Sequence, residues 1–205
     1  MADNQVINEM QFDVLREIGN IGSGNAATAL AKMLNQKVDI KVPKAALLDF
    51  NELPRAVGGE ETIVVGILLT LSEDVEGMMM FIMKIEAAYN LIEKLMFMEV
   101  DRSGSLDEMQ MSCLQEIGNI ITGAYLSSLS DLTRLTIQAS VPYMAMDMAG
   151  AILSVPAIEF GKLGDKALMI EAEFGEDAAN EIGGYFLLIP TMASYDAIMA
   201  SLGIG

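Results

Sequence analysis

At 205 residues and a formal net charge of −17, the chain is long enough for a substantial core. It is too acidic for nucleic acid or an anionic membrane as partner, since both reward clustered Lys and Arg. With no histidine and a single cysteine, Cys113, it excludes a Ser-His-Asp triad, a Cys-His dyad, histidine metal ligands and an internal disulfide.

In chain order, a long helix is predicted over residues 9–35, followed by strands near 37–42, 45–50, 62–71 and 77–84 and a short helix over 86–97. Gly58-Gly59 marks a turn before the third of these strands, and Asp101-Arg102-Ser103-Gly104 a second turn. A second long helix is expected over 107–132, then strands near 135–142, 144–148, 166–174 and 183–190 and a helix over 192–202. Ala149 to Phe160 is predicted to add a short helix. The acidic residues Glu171, Glu173, Glu176, Asp177 and Glu181 read as a solvated hairpin turn, and the seventeen methionines as core filler. Cys113 reads as a small core residue with Val14 as its counterpart. The longest apolar runs are strand-sized, so no membrane span is expected, and the opening Met-Ala-Asp-Asn-Gln lacks a signal-peptide pattern. A cytoplasmic address is the expectation.

The two halves repeat one another. Glu17-Ile18-Gly19-Asn20-Ile21 recurs as Glu116-Ile117-Gly118-Asn119-Ile120, an offset of 99 that also pairs Gly24 with Gly123 and Val42-Pro43 with Val141-Pro142. Asn8-x-x-Gln11 and Asp107-x-x-Gln110 are matching N-cap boxes at the starts of the two long helices. Beyond Gly77 the offset becomes 106, so the second half carries about seven extra residues. The chain is therefore expected to be a single pseudo-twofold domain of two repeats, residues about 8–100 and 107–205. Its class is α/β of the α+β type: a mainly antiparallel sheet with the two long helices on one face. Short links between consecutive strands favour hairpins over crossovers.

On the first helix Phe12, Val14, Leu15, Ile18, Ile21, Leu30 and Met33 form an apolar side. Asp13, Glu17, Asn20, Gly24 and Thr28 fall together opposite, within about 80° at 100° per residue. Ser112, Glu116, Asn119, Gly123 and Ser127 make the matching stripe on the second helix. Glu and Asn three apart are surface neighbours on a helix. The four motif residues are expected to reach solvent, with Ile18, Ile21, Ile117 and Ile120 mostly buried. Gly19, Gly22 and Gly24 serve either close helix packing or close approach by another molecule, and the sequence leaves both open. Pro43 and Pro142, each 23 residues after an asparagine, are expected to end a strand or kink its edge.

Asp13-x3-Glu17-x2-Asn20-x22-Pro43 and Ser112-x3-Glu116-x2-Asn119-x22-Pro142 resemble the signature of the CheC/CheX/FliY family of CheY-phosphate phosphatases of bacterial and archaeal chemotaxis. The resemblance spans essentially the whole chain, and two complete motifs match the CheC-type members. It implies that Glu17, Asn20, Glu116 and Asn119 act on the aspartyl-phosphate of phosphorylated CheY, with Asp13, Ser112, Pro43 and Pro142 in support. It implies the chemoreceptor deamidase CheD as a further partner. It also implies no cofactor of the chain's own, with Mg²⁺ held by the receiver. The chemistry suits that reading, because an acyl phosphate is labile and needs chiefly a water held in line, which a carboxamide supplies. Asn20 and Asn119 are then the water-positioning groups, and Glu17 and Glu116 dock the receiver by pairing with a lysine near its phosphorylation site, a general-base role for either Glu being the weaker alternative. Two other readings stand beside it: a non-catalytic adaptor that binds CheY-phosphate or CheD, and a packing protein whose stripes face its own interior.

Overall fold

The run Gly77–Lys84 lacks polar alternation, the pattern of a strand covered on both faces. In the computed structural model, which describes residues 9–34, 40–102, 106–160, 166–174 and 182–203, it lies at the centre of a seven-stranded sheet. The elements in chain order are α1 (Glu9–Leu34), β1 (Ile40–Asp49), α2 (Leu53–Ala56), β2 (Ile63–Glu73), β3 (Gly77–Lys84), α3 (Ile85–Met96), α4 (Glu108–Thr133), β4 (Ile137–Ala139), β5 (Tyr143–Met148), α5 (Ala149–Phe160), β6 (Lys166–Phe174), β7 (Ile182–Pro190) and α6 (Met192–Ser201). The sheet order is β1-β6-β7-β3-β2, with β4 and β5 sharing the outer edge of β2. Every pairing is antiparallel.

The repeat is visible in that order. β2 and β3 correspond to β6 and β7, and β1 corresponds to β4 plus β5. Each repeat lends its first strand to the other's hairpin: β1 pairs with β6, while β4 and β5 pair with β2.

Alternation along β3 divides the core. Met79, Phe81 and Met83 face a layer containing α1, α3, α4 and α6, whereas Met78, Met80 and Ile82 face α2 and α5. The sequence expectation placed the motif helices on one face, where they are. The second face is covered as well, by α2 and by α5, whose Ile152 and Leu153 are buried there. The four residues of α2 fall below the reach of periodicity; Pro54 at its start was the available signal.

Proline explains where the strands differ from expectation. Residues 37–42 and 45–50 were predicted as two strands; among the described residues they form the single strand β1, whose register slips between Lys41 and Lys44, around Pro43. At the equivalent place in the second repeat the strand breaks, so β4 is only three residues long and Pro142 lies in the gap before β5. A residue without an N–H cannot extend a ladder, so it is absorbed as a bulge in one copy and a break in the other.

Two further expectations change. Met78, Met79, Met80 and Met83 are core, but Met33, Met98, Met109, Met111, Met146, Met148 and Met192 are exposed, so core filling describes the central strand and not the methionines as a class. Glu171 and Glu173 lie in β6 rather than in a turn, opposite Lys44 and Lys41 of β1. Glu176, Asp177 and Glu181 lie outside the described residues, as does Asn8. The second N-cap box forms as expected: Gln110 N–H donates to Asp107 Oδ1 at 2.8 Å, and Asp107 N–H to Gln110 Oε1 at 3.0 Å. No helix among the described residues is long and apolar enough to cross a membrane.

The two long helices meet tightly. A Cβ on Gly22 would sit 2.6 Å from Tyr125 Cδ2, and the Tyr125 ring stacks on Phe186 with centroids 5.3 Å apart. Asn25 Nδ2 donates to Ser128 Oγ at 2.8 Å across the same contact. At the offset of 99, Ala26 stands where Tyr125 does and Ile121 where Gly22 does, all four buried. Bulk is thus exchanged between the helices at constant register, which keeps the crossing filled without symmetric side chains.

Candidate functional site: two exposed Glu/Asn pairs

Each motif helix is held down by an isoleucine one residue after the glutamate, Ile18 at 3% exposed and Ile117 at 0%. Turning 100° per residue, the helix then lifts Glu17, Asn20, Glu116 and Asn119 to the surface, where all four are exposed. The stripes do not face the protein's own interior. Ile21 and Ile120 are half-buried, not mostly buried as expected, because three residues past the anchor they reach the margin of the apolar face. Met33 on the same face is exposed.

In the first pair Asn20 Nδ2 donates to Glu17 Oε2 at 3.5 Å, the long limit of a hydrogen bond. Such an exposed contact is weak and opens readily for a partner. Asp13 is exposed and forms an ion pair with Arg16 at 3.1 Å. Arg16, next to Glu17, is a cation at the motif that the sequence reading passed over. The second repeat replaces both members of that pair, with exposed Ser112 for Asp13 and Gln115 for Arg16. Gln115 Nε2 instead donates to the carbonyl oxygen of Pro142 at 3.1 Å, tying α4 to the gap between β4 and β5.

The glycines divide by what they face. Gly22 and Gly118 are packing residues, since a Cβ there would strike Tyr125 or the Ile67 side chain. Gly24 and Gly123, each one turn after a motif asparagine, have nothing within 4 Å of the Cβ position. The surface beside Asn20 and Asn119 is therefore open. Thr28 Oγ1 turns back onto Gly24 O at 2.9 Å, which keeps its hydroxyl from projecting outward.

Cys113 is half-buried against the core alongside Val14, and burial pushes its thiol pKa up, away from nucleophilic use. Among the described residues no group of three or more Cys, Asp or Glu side chains is placed to hold a metal ion.

The model of the CheC-like family matches this chain twice, over residues 10–46 and 109–143, at the offset of the internal repeat. The chain is 37% identical over 201 residues to the CheY-P phosphatase CheC of Bacillus subtilis, covering 96% of both proteins. It is 31% identical over 138 residues to the flagellar motor switch phosphatase FliY of the same organism, covering 66% of this chain and 35% of that longer protein. Its fold is similar to the crystal structure of Thermotoga maritima FliY, with a TM-score of 0.77, 21% identity and coverage of 97% and 98%.

Proposed function

The chain belongs to the CheC-like family, and from that premise we propose that it hydrolyses the aspartyl-phosphate of a phosphorylated CheY-type receiver, with Glu17/Asn20 and Glu116/Asn119 as two sites. The observation that carries the reading is the double exposure of a Glu/Asn pair on two rigid helices, each beside an open glycine. The two repeats act as one unit, because each supplies the edge strand of the other's hairpin.

The chemistry follows from what the chain lacks and what its substrate brings. A surface with net charge −17 repels a free phosphate ester. A receiver presents its phosphoryl group already neutralised by its own Mg²⁺ and lysine, so the chain needs no metal of its own. What remains is to hold a water in line with phosphorus, and the carboxamides of Asn20 and Asn119 do so by hydrogen bonding. Glu17 and Glu116 pair with the receiver lysine and fix the approach. The setting is the cytoplasm, and the receptor deamidase CheD is a second partner of the same protein.

Alanine at Gly24 or Gly123 meets no atom of this chain and raises helix propensity by up to about 1 kcal/mol. Both variants are therefore expected to melt at or above the wild-type temperature while dephosphorylating the receiver more slowly, because the added methyl stands on the approach surface. Thermal unfolding and phosphate release, measured on the same samples, check the opposed signs. Glu17→Ala and Glu116→Ala are expected to raise the apparent KM for the phosphorylated receiver more than they lower kcat.

The test of the function itself compares substrates. The chain is expected to accelerate phosphate loss from a phosphorylated receiver and to leave p-nitrophenyl phosphate untouched. Equal turnover of the small ester would contradict a site that relies on the receiver's own metal and lysine. Binding to the phosphorylated receiver without faster phosphate loss would instead favour an adaptor.

A further inference from the structure

Both motif helices carry the same Glu/Asn pair, and they differ in the cation beside it. α4 has no Lys or Arg along its length, whereas α1 has Arg16 and, in its last turn, Lys32. The whole chain has 12 Lys and Arg against 29 Asp and Glu, so a cation set between Asp13 and Glu17 calls for a reason. Arg16 precedes Asn20 by one helical turn, which makes the two side chains surface neighbours, and both are exposed.

The Arg16 side chain is 53% exposed and pairs with Asp13 at 3.1 Å; among the described residues Asp13 is its one partner. An exposed ion pair of this kind adds little to stability and opens readily. The equivalent residue of the second repeat, Gln115, is half-buried and donates its amide to the Pro142 carbonyl, while Ser112 replaces Asp13. Acid and base are lost together, so the formal charge of the two stripes is the same. What distinguishes the first stripe is a cationic donor free to swing.

Side chains on a helix lean towards its N-terminus, and Asn20 does so, with its Nδ2 3.5 Å from Glu17 Oε2. A water held by the Asn20 carboxamide therefore lies over the turn that begins at Arg16. In phosphoryl transfer, charge in the transition state is spread over the equatorial oxygens, and the planar fork of a guanidinium matches them.

We propose that Arg16 is a catalytic residue of the first site, exchanging Asp13 for an equatorial oxygen of the receiver's aspartyl-phosphate. The inference rests on the function proposed above and deepens it: the two sites share water positioning by asparagine and differ in how transition-state charge is met. Water adds to phosphorus, the bond to the aspartyl oxygen breaks, and both water hydrogens leave with the phosphate as the carboxylate is restored. Arg16 adds its N–H donors to the cations the receiver brings, and Asp13 holds the guanidinium over the helix while the site is empty. The second site works with Asn119 and the receiver's own cations.

Each site is read by silencing the other, following phosphate release over a range of phosphorylated receiver. With Asn119→Ala leaving only the first site, Arg16→Gln is expected to lower kcat at least about tenfold with a smaller change in KM. Arg16→Lys, which keeps the charge and loses the fork, is expected to fall between the two. With Asn20→Ala leaving only the second site, Arg16→Gln is expected to change neither constant. A raised KM with unchanged kcat would put Arg16 on the receiver's surface instead of its phosphoryl group and overturn the proposal. No change in either constant would overturn it too, and equal losses in both backgrounds would mark Arg16 as merely structural. If Asn119→Ala alone were inactive while the wild type is active, the first site would carry no turnover and the inference would fall by itself. An inactive wild type would instead remove the proposed function.

Discussion

Replacing Asn20 and Asn119 together by alanine is expected to slow dephosphorylation of the receiver by about 10²-fold, the scale of losing alignment of a reactant in a positioned reaction. The double variant should then approach the receiver's own rate of autodephosphorylation. Each single variant should keep part of the activity, because each asparagine is exposed on its own helix beside its own glutamate. The fold should survive all three changes. Both asparagines are exposed, alanine is the better helix former, and the contact from Asn20 to Glu17 is at the limit of hydrogen bonding. Circular dichroism alongside phosphate release separates a catalytic loss from a folding one. A double variant with full activity would leave water positioning by these residues without support.

The largest effect on stability is expected at Tyr125. Its ring is fully buried between Gly22 and Phe186, and Phe186 in turn meets Phe81 at 4.8 Å between centroids. Truncation to alanine leaves a ring-sized cavity at the crossing of α1 and α4 and is expected to cost about 3–5 kcal/mol. Tyr125→Phe has the opposite sign. The buried hydroxyl has no hydrogen-bond partner among the described residues, so removing it lifts a desolvation penalty of about 1–3 kcal/mol, less whatever packing the oxygen provides. The pH dependence sharpens the point. Burial holds the Tyr125 phenol protonated well above its ordinary pKa, so its folded pKa exceeds the unfolded one. Stability from this source is complete below pH ~10 and falls as pH rises past it, when the unfolded chain's tyrosine ionises. The phenylalanine variant should lose less stability across that range, read from denaturant unfolding at pH 8 and pH 10.5.

Much of this was legible before any coordinates. The repeat, the two long helices and the exposed Glu/Asn pairs follow from local pattern, because a 3.6-residue period and a fixed offset are properties of the chain itself. The exchange of edge strands was not legible: β1 reads the same whether it joins β2 or, as it does, β6. Nor could Gly22 be told from Gly24. Both are glycines on one helix, and only the Tyr125 ring, 103 residues away in the chain, makes the first a packing residue and leaves the second open. The two motif prolines looked alike in sequence, and each sits where the register slips by one residue, yet one is taken up in a strand and the other lies in a break. The bond from Gln115 to Pro142 spans 27 residues and no pattern announces it. Arg16 stands at a position where the two copies differ, so the shared motif does not announce it.

The central claim is tested most directly by mixing the chain in equal amount with a receiver phosphorylated on its aspartate and following loss of the phosphoryl group over one turnover. The account predicts decay well above the receiver's own rate with the wild type, intermediate decay with Asn20→Ala or Asn119→Ala, and the receiver's own rate with both. Decay at the receiver's own rate in the presence of the wild type would contradict it.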